Sequence, residues 1–402
     1  MTDDLDRKTG GQRSRAGRTP AERSNVASFI VMDVMRAAAE LERQGRSIIH
    51  MEVGQPGTPA PETARAAVRA ALDTETLGYT AALGSDALRV RIAASYRERY
   101  GVGVDENRVI VCSGSSAAFL LAFLAIFDAG AHVALPSPGY PCYRHILSAL
   151  GCRTPLIETG PEGRWMPTPD DLAALHEREK LNGLLIASPA NPTGTMIEPD
   201  RLAALIGYAD TNGLWFISDE IYHGLTYDAP ATTALSVSDE VIVINSFSKY
   251  HAMTGWRIGW LVVPPALVRT VERLQQNFFI SAPAASQVAA LGAFEDVHEL
   301  ERNRETYARN RALLLTALPE AGFSALAPAD GAFYLYADVS AFTDDALGFA
   351  RAMLEEIGVA VTPGLDFDEA RGNRYLRFSY AGTESDMAEA ARRLKAWPRL
   401  KR

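Results

Sequence analysis

A group of polar residues follows a strongly apolar segment in the second half of the chain. Residues 241–244 read Val-Ile-Val-Ile, and four β-branched residues in succession predict a buried β-strand. Ser246, Ser248 and Lys249 follow directly, and Arg257 comes eight residues after the lysine. Hydroxyls and a guanidinium suit a phosphate, and a lysine amine can form a Schiff base with an aldehyde. Pyridoxal 5′-phosphate (PLP) carries both groups; the alternative is a surface lysine near the end of a strand.

Other polar or aromatic side chains follow further predicted strands of the same region. They are Gly114, Ser115 and Ser116 in one turn, Tyr140, Asn191, Asp219 and Tyr222. Taken singly, each has a simpler explanation: a helix N-cap, a core aromatic, an Asn-Pro turn, or an aspartate that caps a turn. Taken together, they match PLP. Its phosphate would bind the 114–116 turn, Ser246, Ser248 and Arg257; its ring nitrogen Asp219; its phenolic oxygen Asn191 and Tyr222; its ring face Tyr140; and its aldehyde Lys249.

Alternating helix and strand signals must position these residues. Helices are predicted at 61–73, 86–99, 115–127, 169–179 and 199–211, and strands at 108–112, 131–135, 183–188, 214–218, 241–245 and 258–262. Thr168 and Pro169 are a strong start signal for the fourth of these helices. The alternation predicts an α/β fold with a mostly parallel sheet, and such sheets bind ligands at the carboxyl ends of their strands.

The pattern changes after about residue 295. A long helix at 298–317, a strand after Gly331, a helix at 345–357 and a strand at 375–379 predict a second, smaller α/β unit. A helix at 34–43 and a strand at 48–53 precede the large unit. The predicted division is therefore a disordered tail at 1–24, an N-terminal segment of the small domain at 25–58, a large PLP-binding domain at 59–295 and the small domain at 296–402.

Composition excludes several classes of function. The chain has 402 residues, a net charge of −9 and a pI of about 5.4, which argues against nucleic acid and anionic membranes as partners. The first 24 residues lack the apolar core of a secretory signal, and no apolar run approaches the roughly 18 residues of a membrane span. The three cysteines and seven histidines show no metal-type spacing. We expect a cytoplasmic protein without a metal site.

The chain resembles fold-type I PLP-dependent enzymes, and within them the class I and II aminotransferases, from about Val26 to its C-terminus. The matching motifs are Gly54-Gln55-Pro56, Tyr79 with Gly84 and Leu88-Arg89, Asn191-Pro192-Thr193-Gly194, Asp219-Glu220-Ile221-Tyr222, Ser246-Phe247-Ser248-Lys249, Gly255-Trp256-Arg257-Ile258-Gly259 and Arg377-Phe378-Ser379. As an ordered set, these motifs are highly specific.

The resemblance implies roles for residues outside the PLP set. Arg377, helped by the Gly54 backbone, would bind the α-carboxylate of the substrate. Tyr79 would reach the phosphate of the neighbouring subunit's cofactor, which implies a homodimer. Arg377 is also well placed on physical grounds, because an arginine between two apolar strand residues suits bidentate capture of a carboxylate; the alternative is an edge-strand salt bridge.

The implied activity is the transfer of an amino group from an amino acid to a 2-oxo acid in a ping-pong reaction. Lys249 would be the catalytic base, and we expect its cationic surroundings to lower its pKa. Other PLP reactions on this fold, those of β-lyases, cyclases and synthases, share almost all of the cofactor residues and remain an alternative.

The donor side chain is less well defined by the sequence. Aspartate-using relatives of one subgroup have a lysine where Ser116 aligns, so aspartate is disfavoured. Residues 29–32 are apolar and are predicted to form a pocket wall that favours a neutral or aromatic donor, although they could simply be helix core. A PLP-sensing regulator would need a DNA-binding domain, for which the about 25 preceding residues are too few. A dinucleotide oxidoreductase is disfavoured because no Gly-x-Gly-x-x-Gly follows the first strand.

Overall fold

The computed structural model describes residues 18–400, so most of the tail predicted at residues 1–24 lies outside the described residues. The α-helices are α1 (Ile30–Arg43), α2 (Glu62–Thr74), α3 (Asp86–Tyr100), α4 (Ser115–Ile126), α5 (Pro141–Ala149), α6 (Pro169–Glu179), α7 (Pro199–Thr211), α8 (Pro265–Phe278), α9 (Ala284–Gly292), α10 (Val297–Glu320), α11 (Ala346–Ile357) and α12 (Glu384–Ala396). The β-strands are β1 (Ile49–His50), β2 (Val109–Cys112), β3 (Val133–Ser137), β4 (Leu156–Glu158), β5 (Gly183–Ala187), β6 (Trp215–Asp219), β7 (Ile242–Ser246), β8 (Gly259–Val262), β9 (Tyr334–Asp338), β10 (Val359–Ala360), β11 (Thr362–Pro363) and β12 (Tyr375–Ser379).

The large sheet has the strand order β2-β8-β7-β6-β5-β3-β4. Its strands pair in parallel except for β8, which runs antiparallel to both β2 and β7. This topology confirms the predicted α/β fold with a mostly parallel sheet. Because the parallel strands share one direction, their carboxyl ends meet at one edge of the sheet. Gly259, the first residue of β8, pairs there with Ser246 at the end of β7.

Both faces of the large sheet are buried, which is why its strands are almost continuously apolar. In β7, Ile242 and Ile244 belong to one hydrophobic cluster with Phe123 of α4, whereas Val243 belongs to the cluster on the opposite face with Leu205 of α7. Full burial of such a side chain contributes about 1.5–3 kcal/mol to folding. The packing therefore fixes the strand ends that carry the polar residues.

A smaller antiparallel sheet has the order β11-β12-β9, and the short strands β1 and β10 pair in parallel. Helices α10 and α12 pack on each other beside these strands and share a core with them, which includes Met51, Leu314, Phe378 and Leu394. This arrangement contains the second unit that the sequence predicted, but the division at residues 25–58, 59–295 and 296–402 stays a prediction. Within residues 18–400, no helix is both long enough and apolar enough to cross a bilayer.

Several boundaries differ from the prediction. Helix α6 begins at Pro169 as expected, with Thr168 and Asp171 forming a reciprocal capping box. Helix α1 begins at Ile30 rather than residue 34, and the strand predicted at 48–53 is only the two residues of β1. Sequence reasoning missed α5, α8, α9 and α12, although proline is the first residue of both α5 and α8 and is a helix start signal.

Candidate active site

A cavity of about 240 Å³ lies at the carboxyl edge of the large sheet, where the smaller unit meets it. Eleven of the residues predicted from the sequence line this cavity: Gly54, Ser115, Ser116, Tyr140, Asn191, Asp219, Tyr222, Ser248, Lys249, Arg257 and Arg377. Residues that the sequence did not assign to the cofactor or the α-carboxylate also line it: Phe29, Val31, Met32, Val53, Gln55, Phe119, Tyr143, Ile221, Thr254 and Tyr334. The fold therefore brings together side chains that lie more than 300 residues apart in the chain.

Lys249 follows β7 and extends its amine across the cavity. Its Nζ donates a hydrogen bond to the main-chain oxygen of Gly54 at 2.5 Å. Burial lowers the pKa of Lys249 to about 8, and the positive charges of Arg377 and Arg257 add to this effect, whereas Asp219 opposes it. The sequence predicted the direction, but attributed it to the cations alone; burial is the larger cause. A lysine with this pKa is partly neutral near pH 7–8 and can accept a proton.

Asp219 ends β6 and is only 3% exposed. Its carboxylate accepts hydrogen bonds from the Tyr143 hydroxyl and, at 3.1 Å, from the Ile221 N–H. Burial raises the pKa of Asp219 to about 6, and these two hydrogen bonds and the charge of Lys249 only partly offset it. A carboxylate held in this way is stabilised by a cationic partner placed in the cavity.

Tyr143 is a residue that the sequence reasoning missed. It lies in α5, a helix that was not predicted from the sequence, and its ring packs against Phe119 and Tyr140 at centroid distances of 5.0 and 5.3 Å. The signal that could have found it is the spacing: Tyr143 lies three residues after Tyr140 and therefore on the same side of a helix that begins at Pro141.

One end of the cavity is suited to an anion. Helix α4 begins at Ser115, and its N-cap, Gly114, has a φ of +80°, a conformation that glycine adopts without strain. A Cβ at position 114 would collide with the Arg257 guanidinium, so glycine allows the arginine to approach the helix start. The Ser248 side chain lies at the same cavity. Free N–H groups at a helix start, hydroxyls and a guanidinium are together a phosphate-binding set.

Ser246 lies behind Ser248. Its hydroxyl donates to the Ile258 oxygen at 3.0 Å and is 2.8 Å from the Ser248 hydroxyl, and the Ser248 N–H donates to it at 3.1 Å. Ser246 does not line the cavity in the described chain. Its direct contact with a phosphate stays a prediction, while the observed bonds position Ser248.

Arg377, in β12, is 2% exposed, and neighbouring groups fix its orientation. Its Cζ lies 4.3 Å from the ring centroid of Tyr334 and 4.8 Å from that of Phe367. Nη1 donates to Asn191 Oδ1 at 2.8 Å, and Nη2 donates to the main-chain oxygen of Glu52. Among the described residues, Nε has no hydrogen-bond partner. A planar guanidinium held between two rings with an N–H still available is suited to a carboxylate.

The contacts of Asn191 and Tyr222 define their remaining hydrogen-bonding capacity. Because Asn191 Oδ1 accepts from Arg377, the Asn191 NH₂ group is the part that can donate to a cofactor oxygen. The Tyr222 hydroxyl lies 2.7 Å from the hydroxyl of Tyr334. Tyr334 lies in the strand predicted after Gly331, but it was assigned no functional role from the sequence. Tyr79, by contrast, is 84% exposed and does not line the cavity of the described chain.

The side chains present fit PLP. The anion-binding end suits its phosphate, buried Asp219 suits its protonated ring nitrogen, and Lys249 lines the same cavity. The Tyr140 ring lines the cavity and can cover one face of the pyridine ring. A Cβ at Gly54 would overlap the Tyr334 hydroxyl and one at Gly114 would overlap the Arg257 guanidinium, so both positions require glycine for these side chains to approach the backbone.

Several known proteins are similar to this chain over most of its length. The family model described as aminotransferase class I and II matches residues 46–394. The valine–pyruvate aminotransferase of Mycobacterium tuberculosis is 51% identical over 381 residues, 94% of this chain and 98% of that protein. A (5-formylfuran-3-yl)methyl phosphate transaminase of Methanocaldococcus jannaschii is 34% identical over 378 residues, 92% of this chain and 97% of that protein.

Solved structures show the same relationship. An aminotransferase from Mycobacterium tuberculosis superposes with a TM-score of 0.92 at 50% identity, covering 94% of this chain and 98% of that one. Aspartate aminotransferase from Thermus thermophilus with maleate superposes with a TM-score of 0.88 at 31% identity, covering 94% and 98%. The predicted fold, the PLP cofactor and transamination between an amino acid and a 2-oxo acid are thereby confirmed. The chain belongs to the PLP-dependent aminotransferases of class I and II.

Proposed function

We propose that the enzyme transfers the α-amino group of a neutral amino acid, aliphatic or aromatic, to a 2-oxo acid. The observation that carries this proposal is the set of cations around the cavity. Among residues 18–400, the cationic side chains that line it are Lys249, Arg257 and Arg377. Lys249 is assigned to the cofactor aldehyde, Arg257 to the phosphate and Arg377 to the α-carboxylate. None of the three is left for a second carboxylate on the donor, such as that of aspartate.

The apolar lining supports the same class of donor. Phe29, Val31 and Met32 at the start of α1, together with Ile221, present apolar side chains to the cavity, and Ser116 places a short hydroxyl where a lysine would favour a dicarboxylate. Burial of one methylene contributes about 0.8 kcal/mol, so such a wall favours branched or aromatic side chains over charged ones. The Mycobacterium tuberculosis relative is named for valine and pyruvate. By analogy, we assign a branched aliphatic donor and a short oxo acid as the first pair to test.

The cofactor is assigned to this chain's residues as follows. Its phosphate would bind the start of α4 with Ser248 and Arg257, its ring nitrogen would pair with Asp219, and its phenolic oxygen would accept from Asn191 and Tyr222. When bound, PLP supplies an aldehyde that condenses with the donor amine and a protonated ring that accepts an electron pair. Ionised Asp219 keeps the proton on that ring nitrogen, which is the state the reaction requires.

Lys249 and Arg377 then act on the donor. The guanidinium of Arg377 binds the α-carboxylate and so orients the bond between Cα and its hydrogen toward Lys249. Neutral Lys249 Nζ removes the Cα proton, and its pKa of about 8 makes this form available at physiological pH. Most of the lining residues are fully or partly buried, which limits the access of water to the reacting carbon.

We also propose that the enzyme is a cytoplasmic homodimer in which Tyr79 contacts the partner's cofactor. Tyr79 is a large aromatic residue that is 84% exposed, although the Gln287 amide holds the adjacent Thr80 hydroxyl at 2.9 Å and so orders this segment. An ordered segment that presents an exposed ring is suited to a subunit interface. Three free cysteines support a reducing compartment.

The donor class is tested by measuring kcat/KM of the purified holoenzyme for alanine, valine, leucine, phenylalanine, aspartate and glutamate, with pyruvate and 2-oxoglutarate as acceptors. We expect valine, leucine or phenylalanine to exceed aspartate by about tenfold or more. A preference for aspartate would contradict the proposal. Release of ammonia without formation of a new amino acid would instead indicate a lyase. Sedimentation of the active holoenzyme as a 43.6 kDa monomer would contradict the dimer.

A further inference from the structure

The first turn of α1 is held by a residue from the other end of the chain. The N-cap of this helix is Phe29, whose side chain cannot accept a hydrogen bond from the helix start. Instead, the carboxylate of Asp366 accepts from the Ile30 N–H at 3.0 Å and from the Val31 N–H at 3.1 Å. Asp366 is buried and ends the short 3-10 turn Gly364–Asp366, which follows β11. A carboxylate here satisfies two N–H groups and interacts favourably with the positive end of the helix dipole.

The same turn of α1 forms one wall of the cavity. Phe29, Val31 and Met32 line it, and the Phe29 ring meets the Tyr140 ring edge to face at a centroid distance of 5.9 Å and an interplanar angle of 79°. A shift of this turn would therefore change both the apolar wall and its contact with Tyr140.

The backbone at Asp366 and Phe367 also contacts α5 and the loop that carries Tyr140. The Arg144 guanidinium donates to the Asp366 main-chain oxygen at 2.9 Å, and the Gly139 N–H donates to the Phe367 oxygen at 3.1 Å. Gly139 precedes Tyr140, so this turn fixes the loop that carries the tyrosine. The Phe367 ring also lies beside the Arg377 guanidinium, at 4.8 Å. One turn of the smaller unit thus contacts the apolar wall, the tyrosine loop and the residue assigned to the α-carboxylate.

We propose that Asp366 is a positioning residue for substrate specificity: its carboxylate fixes the first turn of α1, and thereby the distance between the apolar wall and Tyr140, so that the cavity accepts a branched or aromatic donor side chain. This inference rests on the proposed function, in which the donor is neutral. Asp366 does not line the cavity. It acts through Phe29, Val31 and Met32 rather than on the reacting atoms.

The variants Asp366→Ala and Asp366→Asn test this role, with Asp345→Asn as the matched control. Asp345 also caps a helix, because its carboxylate accepts from the Gly348 N–H at 2.9 Å, but it lies on the exposed start of α11 and does not line the cavity. Two quantities are measured on the holoenzyme: hydrogen exchange at Ile30 and Val31 without any amino acid, and kcat and KM for alanine and valine.

We expect exchange at Ile30 and Val31 to become about tenfold faster in Asp366→Ala. The kcat/KM ratio of valine to alanine should fall about tenfold, mainly through the KM for valine, because alanine is too short to fill the space beside the wall. Asp366→Asn keeps the side-chain shape but turns one acceptor into a donor that faces an N–H, so it should shift both quantities in the same direction. If Asp366→Ala does not fold, Asp366→Asn decides. The control should leave both quantities unchanged.

Unchanged exchange in the Asp366 variants, or an equal loss for valine and alanine, would overturn the inference, because a merely structural role would not change the ratio. The outcome is distinguishable from failure of the proposed function. A wild-type enzyme that prefers aspartate refutes the donor class, whereas the exchange measurement involves no donor and still decides whether Asp366 holds α1.

Discussion

Lys249 Nζ and the main-chain oxygen of Gly54 are joined by a hydrogen bond of 2.5 Å, although 195 residues separate them in the chain. Gly54 can approach the lysine only because it has no side chain, since a Cβ at this position would overlap the Tyr334 hydroxyl. The same hydroxyl bonds to Tyr222 at 2.7 Å. The Gly54 backbone, the Lys249 amine and the two tyrosine hydroxyls are therefore packed together as one unit.

Replacement of Gly54 by alanine should displace Tyr334 and disturb this unit. We expect Gly54→Ala to lower kcat/KM by about 10²-fold, because displacements of about 1 Å in an active site have effects of this size. The matched control is Gly207→Ala on α7, where a Cβ would meet no atom within 4 Å. Steady-state kinetics decides the outcome, and near-normal activity in Gly54→Ala would show that the close contact has no catalytic role.

Lys249→Ala should fold but lose the covalent link to the cofactor. Loss of a general base costs about 10²–10⁴ in rate, and loss of the covalent link adds to this. Borohydride reduction of the wild-type holoenzyme followed by peptide mapping should place the label on Lys249. The control Lys180→Ala, at an exposed position, should keep both the label and the activity. A label on any other lysine would overturn the assignment.

Asp219 links pH to the stability of the PLP-free protein. Its pKa is about 6 in the folded chain against 3.8 without perturbation, so the folded state binds the proton more tightly. This contribution to stability is fully present below about pH 4 and is lost as the pH rises through about 6. PLP-free Asp219→Asn, which carries no charge at this position, should therefore exceed wild type in free energy of unfolding at pH 7.5, by on the order of 2–3 kcal/mol.

Denaturant unfolding at pH 4 and pH 7.5 measures this difference, and wild type at pH 4 is the internal control. Equal stabilities at both pH values would mean that Asp219 is not held in a costly ionised state. With PLP bound, the order should reverse, because the pyridinium then compensates the wild-type carboxylate, whereas the neutral amide of the variant gains no such ion pair. The same variant should have a lower kcat, since a neutral pyridine ring is a poorer electron acceptor.

The sequence predicted which polar residues follow the strands, but not the groups that hold those residues and the cavity wall in position. Asp219 and Lys249 follow apolar strands, so their place at the carboxyl edge could be predicted from local pattern alone. Asp366 could not be linked to α1 in this way, because its contact with Ile30 spans 336 residues and depends on the packing of the two units. Contacts of this kind leave no local signal in the sequence.

Tyr143 illustrates a different omission. No helix was predicted for its segment, because α5 is only nine residues long and follows a proline-rich turn, so helical periodicity was hard to detect. The Tyr334 hydroxyl was missed because Tyr334 lies in a strand among other buried aromatic residues, so its sequence pattern indicates only a core position. Its partner, Tyr222, lies in another unit. In both cases the observed hydrogen bond is to a residue that the sequence predicted for the site.

Tyr143→Phe removes the hydroxyl that donates to Asp219 and keeps the ring packing against Phe119. Because this hydrogen bond lowers the pKa of Asp219, its loss should raise that pKa above about 6. PLP binding requires the ionised carboxylate, so the affinity should begin to fall at a higher pH than in wild type. Equilibrium titration of the PLP-free protein with PLP between pH 5 and 8 measures this shift. Tyr208→Phe on α7 is the control, and an identical pH dependence in Tyr143→Phe would refute the role of the hydroxyl.

Arg377→Ala should impair the enzyme toward every donor, because all amino acids share the α-carboxylate. A hydrogen bond to a charged group contributes about 1.5–3 kcal/mol, and a bidentate pair lies at the upper end, so kcat/KM should fall about 10²-fold or more for alanine, valine and phenylalanine alike. Removal of Arg377 also leaves Asn191 Oδ1 without its donor, which should add to the loss. Arg374→Ala is the matched control, since Arg374 pairs with Asp338 at the exposed end of β9 and does not line the cavity. A loss confined to one donor would show that Arg377 contacts a side chain instead, and that another group binds the α-carboxylate.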